Sequence, residues 1–287
     1  MIPSNQHKPK ISIAIDENFR QVKKLVQREY LNTVCVEARC PNIYECWQRK
    51  TATLMILGDT CTRSCGFCSV KTGKPTWDDP LEPLRVAHAV KKMSLRHVVI
   101  TSVDRDDLKG DYGANIWANT IKQTRKINPQ CTIEVLTPDF KGDHNALQIV
   151  FEALPNIFSH NIECVERISR QIRPQANWKR TLSVLQSAKE FGLTVKTGIM
   201  VGLGESIDEV KRTMEEALSV GVEIFTIGQY LQPTKKHLPV EKYRSLEDFE
   251  LLKAFGKEIG FKIIESGPLV RSSYHADEQA KLFYNNA

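Results

Sequence analysis

Residues 53–68 have the sequence TLMILGDTCTRSCGFC, a short apolar run followed by three closely spaced cysteines. The run Thr53–Leu57 predicts a β-strand that is buried on both faces, as the strands of parallel sheets are. In parallel α/β folds the functional side chains lie beyond the carboxyl ends of the strands. We therefore expect Cys61, Cys65 and Cys68 to lie at the functional edge of the sheet.

Strand-like and helix-like segments alternate along the rest of the chain. Five more apolar, β-branched runs are His97–Ser102, Thr132–Thr137, Ile157–Ile162, Thr194–Met200 and Ile224–Gln229. Segments with helical spacing lie between consecutive runs, at Leu81–Met93, Ile116–Ile127, Asn145–Leu154, Trp178–Phe191 and Ile207–Val220. This alternation closes into either a barrel or a doubly wound sheet. We predict an α/β fold, a partial (βα)6 TIM-type barrel with N-terminal and C-terminal extensions.

The predicted barrel covers residues 53–235 and has an extension at each end. Residues 1–52 form an N-terminal arm with one amphipathic helix, roughly Glu17–Leu31, and residues 236–287 form the C-terminal extension. In that extension we predict a helix near Leu246–Ile259, a strand at Lys262–Ser266 and a final helix from about Asp277.

The composition excludes several classes of function. The chain of 287 residues carries 40 Lys and Arg against 34 Asp and Glu, and the net charge of +6 is too diffuse for a nucleic-acid surface. No apolar run is long enough to span a bilayer, and no basic stretch followed by an apolar segment indicates a secretory signal. We expect a cytoplasmic protein with neither a nucleic acid nor a membrane as its partner.

The eight cysteines predict metal binding or catalysis, because the cytosol keeps thiols reduced and disfavours a disulfide framework. Six of them fall within residues 35–68 as two groups of three. The other two, Cys131 and Cys164, lie alone in apolar segments. We predict that both pack in the core.

The three cysteines from Cys61 to Cys68 have the spacing Cys-x3-Cys-x2-Cys. Structural zinc usually takes four ligands in paired Cys-x2-Cys spacing, which this group does not match. Three thiolates instead bind three irons of a [4Fe–4S] cluster and leave the fourth iron open. The spacing resembles the motif of radical S-adenosylmethionine (SAM) enzymes. This resemblance implies that SAM binds the open iron, and that an electron from the cluster cleaves it to a 5′-deoxyadenosyl radical.

The radical SAM resemblance also implies which residues contact SAM. Asp104 follows the second strand, where the family has polar groups for the methionine amine. Glu163 ends the fourth strand and is expected to hold the ribose hydroxyls, while Arg173 is expected to hold the methionine carboxylate. Met200 lies in a glycine-rich turn that the family packs against the adenosine. The other expected SAM contacts are Phe67, Thr101, Gln229, Tyr230 and Leu231.

A second group in the arm, Cys35, Cys40 and Cys46, has the rarer spacing Cys-x4-Cys-x5-Cys. Three thiolates again imply a cluster that needs a fourth ligand. Joined to the Cys-x3-Cys-x2-Cys loop that follows, this group resembles lipoyl synthases specifically. Three further matches to that family are Pro41–Trp47, Thr226–Thr234 and an Arg-Ser-Ser-Tyr-x-Ala motif at Arg271–Ala276. The resemblance covers the chain from about Val34 to Ala280.

The lipoyl synthase resemblance implies that two sulfur atoms are inserted into an octanoyl group carried on a protein lysine. One radical removes hydrogen from C6, the carbon radical takes sulfur from the second cluster, and a second SAM repeats the step at C8. An iron–sulfur carrier must then rebuild the consumed cluster. The implied partners are octanoylated lipoyl carrier domains, namely E2 subunits of 2-oxo acid dehydrogenases and the glycine cleavage H protein, and an electron donor such as flavodoxin or ferredoxin.

The family motif indicates Ser272, rather than Ser273, as the fourth ligand of the arm cluster. The alternative is that both serines cap a helix such as His275–Leu282. An oxygen ligand matches a cluster iron less well than a thiolate does, and a weakly held iron suits a cluster that must surrender sulfur. We therefore expect Ser272 to join the tail to the arm.

Two other functions fit part of this pattern. A tRNA methylthiotransferase is also a two-cluster radical SAM enzyme, but it normally needs an RNA-binding domain, and none is evident in the sequence. A metal-stabilised binding module would hold zinc in both cysteine groups and catalyse nothing. Anaerobic iron and sulfide analysis separates the module from the enzymes, because zinc sites contain no sulfide.

Overall fold

The computed structural model describes residues 9–11, 13–49, 51–76 and 79–284. Residues 1–8, 12 and 50 of the predicted arm therefore lie outside the described residues. The strands are β1 (Asn32–Thr33), β2 (Thr53–Ile56), β3 (Thr60–Cys61), β4 (Lys71–Thr72), β5 (His97–Ser102), β6 (Thr132–Leu136), β7 (Ile157–Ser159), β8 (Thr194–Val201), β9 (Ile224–Gln229) and β10 (Ile263–Gly267). The α-helices are α1 (Glu17–Arg28), α2 (Val34–Glu37), α3 (Ile43–Gln48), α4 (Glu82–Lys92), α5 (Ala114–Ile127), α6 (His144–Glu152), α7 (Glu166–Ile172), α8 (Trp178–Glu190), α9 (Ile207–Ser219), α10 (Leu246–Ile259) and α11 (Ala276–Tyr284).

The predicted alternation of strands and helices is present. The six predicted barrel strands are β2, β5, β6, β7, β8 and β9, and the predicted connecting helices are α4, α5, α6, α8 and α9. The largest difference concerns β7, which we predict to reach Ile162 and which ends at Ser159. The regular ladder ends there because the Thr197 hydroxyl of β8 takes over two backbone partners: it accepts the Ile162 N–H at 3.1 Å and donates to the His160 carbonyl at 2.7 Å. Beyond the strand, Glu163 takes a left-handed backbone conformation with φ of 71°. None of the helices in the described part of the chain is long and apolar enough to cross a bilayer.

The chain divides into two compact units. The amino-terminal unit contains the described residues of 11–63, 70–158 and 273–284, and the carboxy-terminal unit contains those of 9–10, 64–69 and 159–272. The boundary passes through the loop that carries Cys61, Cys65 and Cys68. Cys61 therefore belongs to the amino-terminal unit, whereas Cys65 and Cys68 belong to the carboxy-terminal unit.

The sheet of the amino-terminal unit is built from buried parallel strands. β2 pairs with β5 and β5 with β6 in parallel, so that Thr53 lies opposite Val99 and His97 opposite Thr132. β1 pairs antiparallel with β2. All four residues of β2 are buried, as the apolar sequence of this strand predicts. Helices α4 and α5 pack against each other, and Trp117 of α5 is fully buried.

The sheet of the carboxy-terminal unit contains β8, β9 and β10, which pair in parallel in that order. Glu163 adds an isolated parallel bridge to Ile199 of β8. In β8, a Cβ atom on Gly198 would lie 2.3 Å from Thr226 Oγ1 of β9. The close approach of these two strands therefore requires glycine at this position. Cys164 is buried here, and Cys131 is buried in the other unit, as predicted.

Serine capping boxes determine where two helices of the carboxy-terminal unit begin. At the start of α9, Ser206 Oγ accepts the Glu209 N–H at 3.2 Å and the Glu209 carboxylate accepts the Ser206 N–H at 2.8 Å. Ser245 and Asp248 form the same reciprocal pair at the start of α10. Each box satisfies two backbone donors that the helix itself leaves unpaired.

A buried glutamate holds the turn between β2 and the cysteine loop. Leu57 and Gly58 both have left-handed backbone, with φ of 68° and 90°, which costs a residue other than glycine about 1 kcal/mol. The Glu82 carboxylate accepts the Leu57 N–H at 2.8 Å, and Arg105 Nη1 donates to the Leu57 carbonyl at 3.3 Å. Glu82 is only 3% exposed, and this burial raises the pKa of its carboxyl to about 7.

We predict that Glu82→Gln changes how stability depends on pH. Because its pKa is raised, the Glu82 carboxyl binds its proton more tightly in the folded protein than in the unfolded chain. Proton binding therefore stabilises the fold fully below pH 4.5, and this stabilisation is lost as the pH rises through 7. Glutamine does not titrate. The unfolding free energy of the wild type should therefore fall relative to the variant between these pH values, by at most about 1.4 kcal/mol per pH unit.

Urea unfolding of the anaerobic protein across this pH range measures the difference. Glu152→Gln, at an exposed glutamate of α6, is the matched control. Parallel stability curves for the wild type and Glu82→Gln would contradict the prediction.

Candidate active site

Cys61 ends β3 in an environment that favours a metal-bound thiolate. Its sulfur accepts the backbone N–H groups of Arg63 and Asp104, each at 3.4 Å. The thiol also donates to Asp104 Oδ2 at 3.8 Å. Backbone N–H donors stabilise negative charge on sulfur and help to set the potential of an iron–sulfur cluster. Cys61 follows β2 in the chain as the sequence predicts, but it lies in the short strand β3, which was not predicted, and its role as a ligand stays a prediction.

Arg63 lies within the cysteine loop and forms a buried ion-pair network. Its guanidinium contacts Asp104 at 3.2 Å, Asp106 at 2.8 Å and Asp139 at 2.6 Å. Asp104 and Asp106 follow β5, and Asp139 follows β6, so the arginine joins the ends of two strands to the loop. Burial alone would lower the pKa of Arg63, but the hydrogen bonds and charges of the three carboxylates outweigh it and raise that pKa. Arg63 is therefore a permanent cation that fixes the loop.

Cys65 and Cys68 lie in the part of the loop that belongs to the carboxy-terminal unit. The Cys68 N–H donates to the Cys65 carbonyl at 3.1 Å, and His237 Nε2 lies 2.9 Å from the Cys68 carbonyl oxygen. Between the cysteines, the Gly66 N–H donates to the Ile172 carbonyl at 2.8 Å. Phe67, a predicted SAM contact, is partly buried beside them.

Glu163 is held in a strained and polar pocket of the carboxy-terminal unit. Its backbone N–H and C=O bond to Gly198 and Met200 of β8, both at 2.9 Å, and its side chain accepts from Asn161 at 3.1 Å. Removal from water raises the pKa of the Glu163 carboxyl, and the charges of Arg173 and Arg271 oppose that rise. A non-glycine residue with left-handed backbone is characteristic of functional positions.

Two buried polar atoms beside Glu163 have no hydrogen-bond partner among the described residues. They are Asn161 Oδ1 and Arg173 Nε. Arg173 uses its Nη1 to donate to the carbonyls of Asn161 and Ile162, at 3.3 and 2.9 Å, and this fixes the guanidinium. Buried polar atoms are normally paired, so an acceptor and a donor left open beside a carboxylate fit a polar ligand.

Four other predicted SAM contacts have no side-chain polar atom that lacks a hydrogen bond. Three of them are hydrogen-bonded within their own units, and the fourth has an apolar side chain. Gln229 donates to the carbonyls of Tyr230 and Lys242 and accepts the Arg244 N–H. The Tyr230 hydroxyl donates to the Leu238 carbonyl at 2.7 Å, and burial raises its pKa to about 12. In the amino-terminal unit, Thr101 Oγ1 donates to the Leu136 carbonyl at 2.8 Å. The fourth, Leu231, has an apolar side chain that is partly buried.

The three arm cysteines lie close enough to influence one another. Cys35 is in α2, Cys46 is in α3, and the Cys40 N–H donates to the Cys35 carbonyl at 3.1 Å. Burial and then the charge of Cys40 raise the pKa of Cys35 to about 11. Burial, Cys35, Cys40 and the neighbouring Glu45 raise that of Cys46 to about 12. Cations of a metal cluster would relieve this mutual repulsion, so the donor set fits an iron–sulfur cluster.

Ser272 and the arm cysteines belong to different units. Ser272 is partly buried and ends the carboxy-terminal unit, whereas Ser273 accepts a hydrogen bond from Thr53 Oγ1 at 2.8 Å in the amino-terminal unit. The ligand role of Ser272 therefore stays a prediction. No three His, Cys, Asp or Glu side chains of the described residues form a group that could hold a metal ion. A cluster does not require such a group, because each thiolate binds a different iron.

Sequence reasoning did not identify three residues of this region. Arg63 was overlooked because its partners follow other strands, although a charged residue inside a cysteine loop is itself a signal. Arg271 belongs to the Arg-Ser-Ser-Tyr-x-Ala motif, and its positive charge lowers the pKa of the Glu163 carboxyl. Asn161 appeared only as a neighbour of Glu163.

Comparison with known proteins defines the class of this site. The family model described as the Radical SAM superfamily matches residues 55–217. The crystal structure of Streptococcus suis SuiB with precursor peptide SuiA aligns with a TM-score of 0.59 at 11% identity, covering 95% of this chain and 59% of SuiB. Methylornithine synthase PylB aligns with a TM-score of 0.55 at 13% identity, covering 90% and 85%. The chain is a radical SAM protein, and the predicted α/β partial barrel is confirmed.

Curated relatives narrow the class further. Lipoyl synthase from Rubrobacter xylanophilus is 55% identical over 265 residues, which cover 92% of this chain and 82% of the relative. The mitochondrial lipoyl synthase of Nematostella vectensis is 49% identical and covers 97% of both chains. The chain belongs to the lipoyl synthase family. It is therefore a radical SAM sulfurtransferase that uses [4Fe–4S] clusters and SAM, as predicted.

We predict that Arg63→Gln strongly destabilises the amino-terminal unit. The substitution removes the cation of the buried Asp139 and of the partly buried Asp104 and Asp106, of which Asp106 keeps Lys141. Removal of one partner from a buried ion pair costs about 3 kcal/mol. The loss should be smaller at pH 5 than at pH 8, because protonation relieves unpaired carboxylates.

Urea unfolding of the anaerobic protein at both pH values measures this loss. Lys71→Gln is the control, since Lys71 forms an exposed pair with Asp59 beside the same loop and should contribute little. Equal stability of Arg63→Gln and Lys71→Gln would contradict the structural role of the network.

Proposed function

We propose that the chain converts protein-bound N6-octanoyl-lysine to lipoyl-lysine by inserting sulfur at C6 and C8, with a separate task for each cysteine group. The observation that carries this division is the gathering of Cys35, Cys40 and Cys46 in the arm, apart in sequence from the loop group. A radical SAM enzyme needs one group of three cysteines, so a second group calls for a second cluster.

The first task, SAM cleavage, belongs to Cys61, Cys65 and Cys68. A cluster bound by these thiolates supplies the electron that converts SAM to methionine and a 5′-deoxyadenosyl radical. The protein contributes the fixed ligand geometry. Its N–H donors to Cys61 and the Arg63 network hold the loop in place before any cofactor binds.

SAM is held by the residues at the strand ends. Glu163 takes the ribose hydroxyls, Arg173 the methionine carboxylate, Asp104 the amine, and Met200 packs against the adenosine. The open atoms Asn161 Oδ1 and Arg173 Nε support a polar ligand beside Glu163. The remaining contacts are made by Phe67, Thr101, Gln229, Tyr230 and Leu231. For Gln229 and Tyr230 these contacts use the backbone or the ring, because their side-chain polar atoms are already bonded.

The second task, sulfur donation, belongs to the arm cysteines and Ser272. The arm cluster is a substrate whose sulfur enters the product. Under this proposal residues 1–52 hold the cluster, residues 53–235 form the radical SAM barrel, and residues 236–287 supply the serine ligand. A serine oxygen holds iron less firmly than a thiolate, and this favours release.

The partners are octanoylated lipoyl carrier domains, both E2 subunits of 2-oxo acid dehydrogenases and the glycine cleavage H protein. Flavodoxin or ferredoxin provides the electron, and an iron–sulfur carrier rebuilds the arm cluster. The net charge of +6 favours an acidic partner domain, and this effect weakens with salt. None of the eight cysteines, all of them described residues, forms a disulfide, which suits a cytoplasmic location. Neither nucleic acid nor a membrane takes part.

We predict opposite phenotypes for the two cysteine groups. Alanine at Cys61, Cys65 or Cys68 should abolish SAM cleavage, because the electron-donating cluster loses a ligand. Alanine at Cys35, Cys40 or Cys46, or Ser272→Ala, should leave SAM cleavage intact and prevent sulfur insertion. The assay follows 5′-deoxyadenosine and the lipoyl peptide in the same anaerobic reaction.

Ser273→Ala is the matched control for Ser272→Ala, and it should form product like the wild type. Equal loss of both activities in an arm variant would contradict the division of tasks. Wild-type product formation by Ser272→Ala with two intact clusters would show that Ser272 is a helix cap, whose loss costs only about 1 kcal/mol of stability.

A further inference from the structure

The residues that follow Ser272 are bonded to α3, the arm helix that contains Cys46. The Tyr274 hydroxyl donates to both carboxylate oxygens of Glu45, at 3.2 Å each, and His275 Nε2 lies 2.9 Å from Glu45 Oε1. The rings of Tyr274 and His275 stack with centroids 4.0 Å apart. Glu45 directly precedes Cys46 in sequence.

Arg49, which follows α3, makes a second set of contacts with the same tail segment. Its Nη1 lies 2.8 Å from His275 Nε2, and its Nη2 donates to Glu278 at 2.7 Å and to Asp277 at 3.3 Å. Asp277 and Glu278 lie in the first turn of α11. We name these contacts the arm–tail cluster. Its members are Glu45, Arg49, Tyr274, His275, Asp277 and Glu278.

The arm–tail cluster is partly exposed, and 32% of the Arg49 side chain remains accessible. A single exposed ion pair contributes little to stability. Arg49, however, meets three partners at once, and its planar guanidinium presents several donors in a fixed geometry that lysine lacks. The arrangement is suited to orienting a segment more than to stabilising the fold.

The arm–tail cluster begins at Tyr274, two residues beyond Ser272. Ser273 lies between them and accepts a hydrogen bond from Thr53 Oγ1 at 2.8 Å. Because Ser272 is only two residues from Tyr274, any contact that fixes residues 274–278 against the arm also restricts where the Ser272 hydroxyl can reach. Glu45 and Arg49 flank Cys46 on both sides, so the same helix carries a cluster ligand and the contacts that hold the tail.

We propose that Arg49 is a positioning residue for the arm cluster: through the arm–tail cluster it holds the tail so that Ser272 stays within reach of the fourth iron. This inference rests on the proposed ligand role of Ser272. Without Arg49, the tail should spend more time detached, and the iron that only Ser272 binds should be lost first. The three thiolate-bound irons and the SAM-cleaving site should be unaffected.

The test compares Arg49→Gln with Ser272→Ala in protein that carries both iron–sulfur clusters. Arg20→Gln is the matched control, because Arg20 is an exposed arm arginine paired only weakly with Glu17 at 3.9 Å. Three quantities are measured anaerobically: iron per chain with the EPR signal of an oxidised three-iron cluster, hydrogen exchange of the α11 amides, and 5′-deoxyadenosine against lipoyl product.

Arg49→Gln is expected to speed amide exchange in α11, to convert the arm cluster to its three-iron form and to slow sulfur insertion by about tenfold, with SAM cleavage unchanged. Arg20→Gln should match the wild type in all three. If Arg49→Gln does not fold, Arg49→Lys is measured in the same way, because lysine keeps the charge but lacks the planar guanidinium with its several donors.

Two results would overturn the inference in different ways. Suppose that Arg49→Gln keeps an intact four-iron arm cluster while Ser272→Ala has a damaged one. This result would show that Arg49 only stabilises α11, and the ligand proposal for Ser272 would stand. An intact arm cluster in Ser272→Ala would remove the proposed ligand and the inference together.

Discussion

A [4Fe–4S] cluster has four irons, and each of the two cysteine groups in this chain offers three thiolates. This shortage of one ligand determines the chemistry at both places. In the loop that starts at Cys61 the open iron is where a radical SAM protein binds its cosubstrate. For the arm we propose the opposite use, in which a fourth ligand that holds iron weakly would allow the cluster to be taken apart. The group that binds the fourth iron therefore distinguishes the chemistry of the two clusters, whereas the three thiolates are common to both.

The protein meets the electrostatic demands of these groups in two different ways. Around Cys61 it supplies compensation in advance, because two backbone N–H groups donate to the sulfur. Around Cys35 and Cys46 hydrogen bonds lower the two pKa values, but burial together with the neighbouring thiols outweighs them and raises both. Binding of the arm cluster must therefore displace protons from all three thiols, which couples its assembly to pH. Donors already bonded to Cys61 suit a resident cofactor, whereas arm thiols that must lose protons on metal binding suit a consumable one.

The fold was largely predictable because its strands are buried on both faces and so appear as continuous apolar runs. Thr53–Ile56 and Ile224–Gln229 are fully buried and were predicted almost to the residue. The short helix Glu166–Ile172 was not predicted, since seven residues with four charged or amide side chains give little periodicity. The early end of β7 depends on the Thr197 hydroxyl of β8, which bonds the backbone of His160 and Ile162 and which no local residue preference indicates. Cysteine spacing indicates the candidate metal-binding residues, which stay a prediction, whereas the partners of Arg63 and the bonded side chains of Gln229 and Tyr230 depend on contacts between distant segments.

The central claim is that the arm cluster is the source of both sulfur atoms. The direct measurement uses protein whose clusters are reconstituted with heavy-isotope sulfide, freed of excess sulfide and incubated anaerobically with SAM, a reductant and an octanoyl-lysine peptide. Mass spectrometry of the peptide then reports how many sulfur atoms it has gained and which isotope they carry. The account predicts a lipoyl peptide with two heavy sulfur atoms, formed in no more than one copy per protein chain. Cleavage of SAM without sulfur transfer, or a product that contains light sulfur, would contradict it.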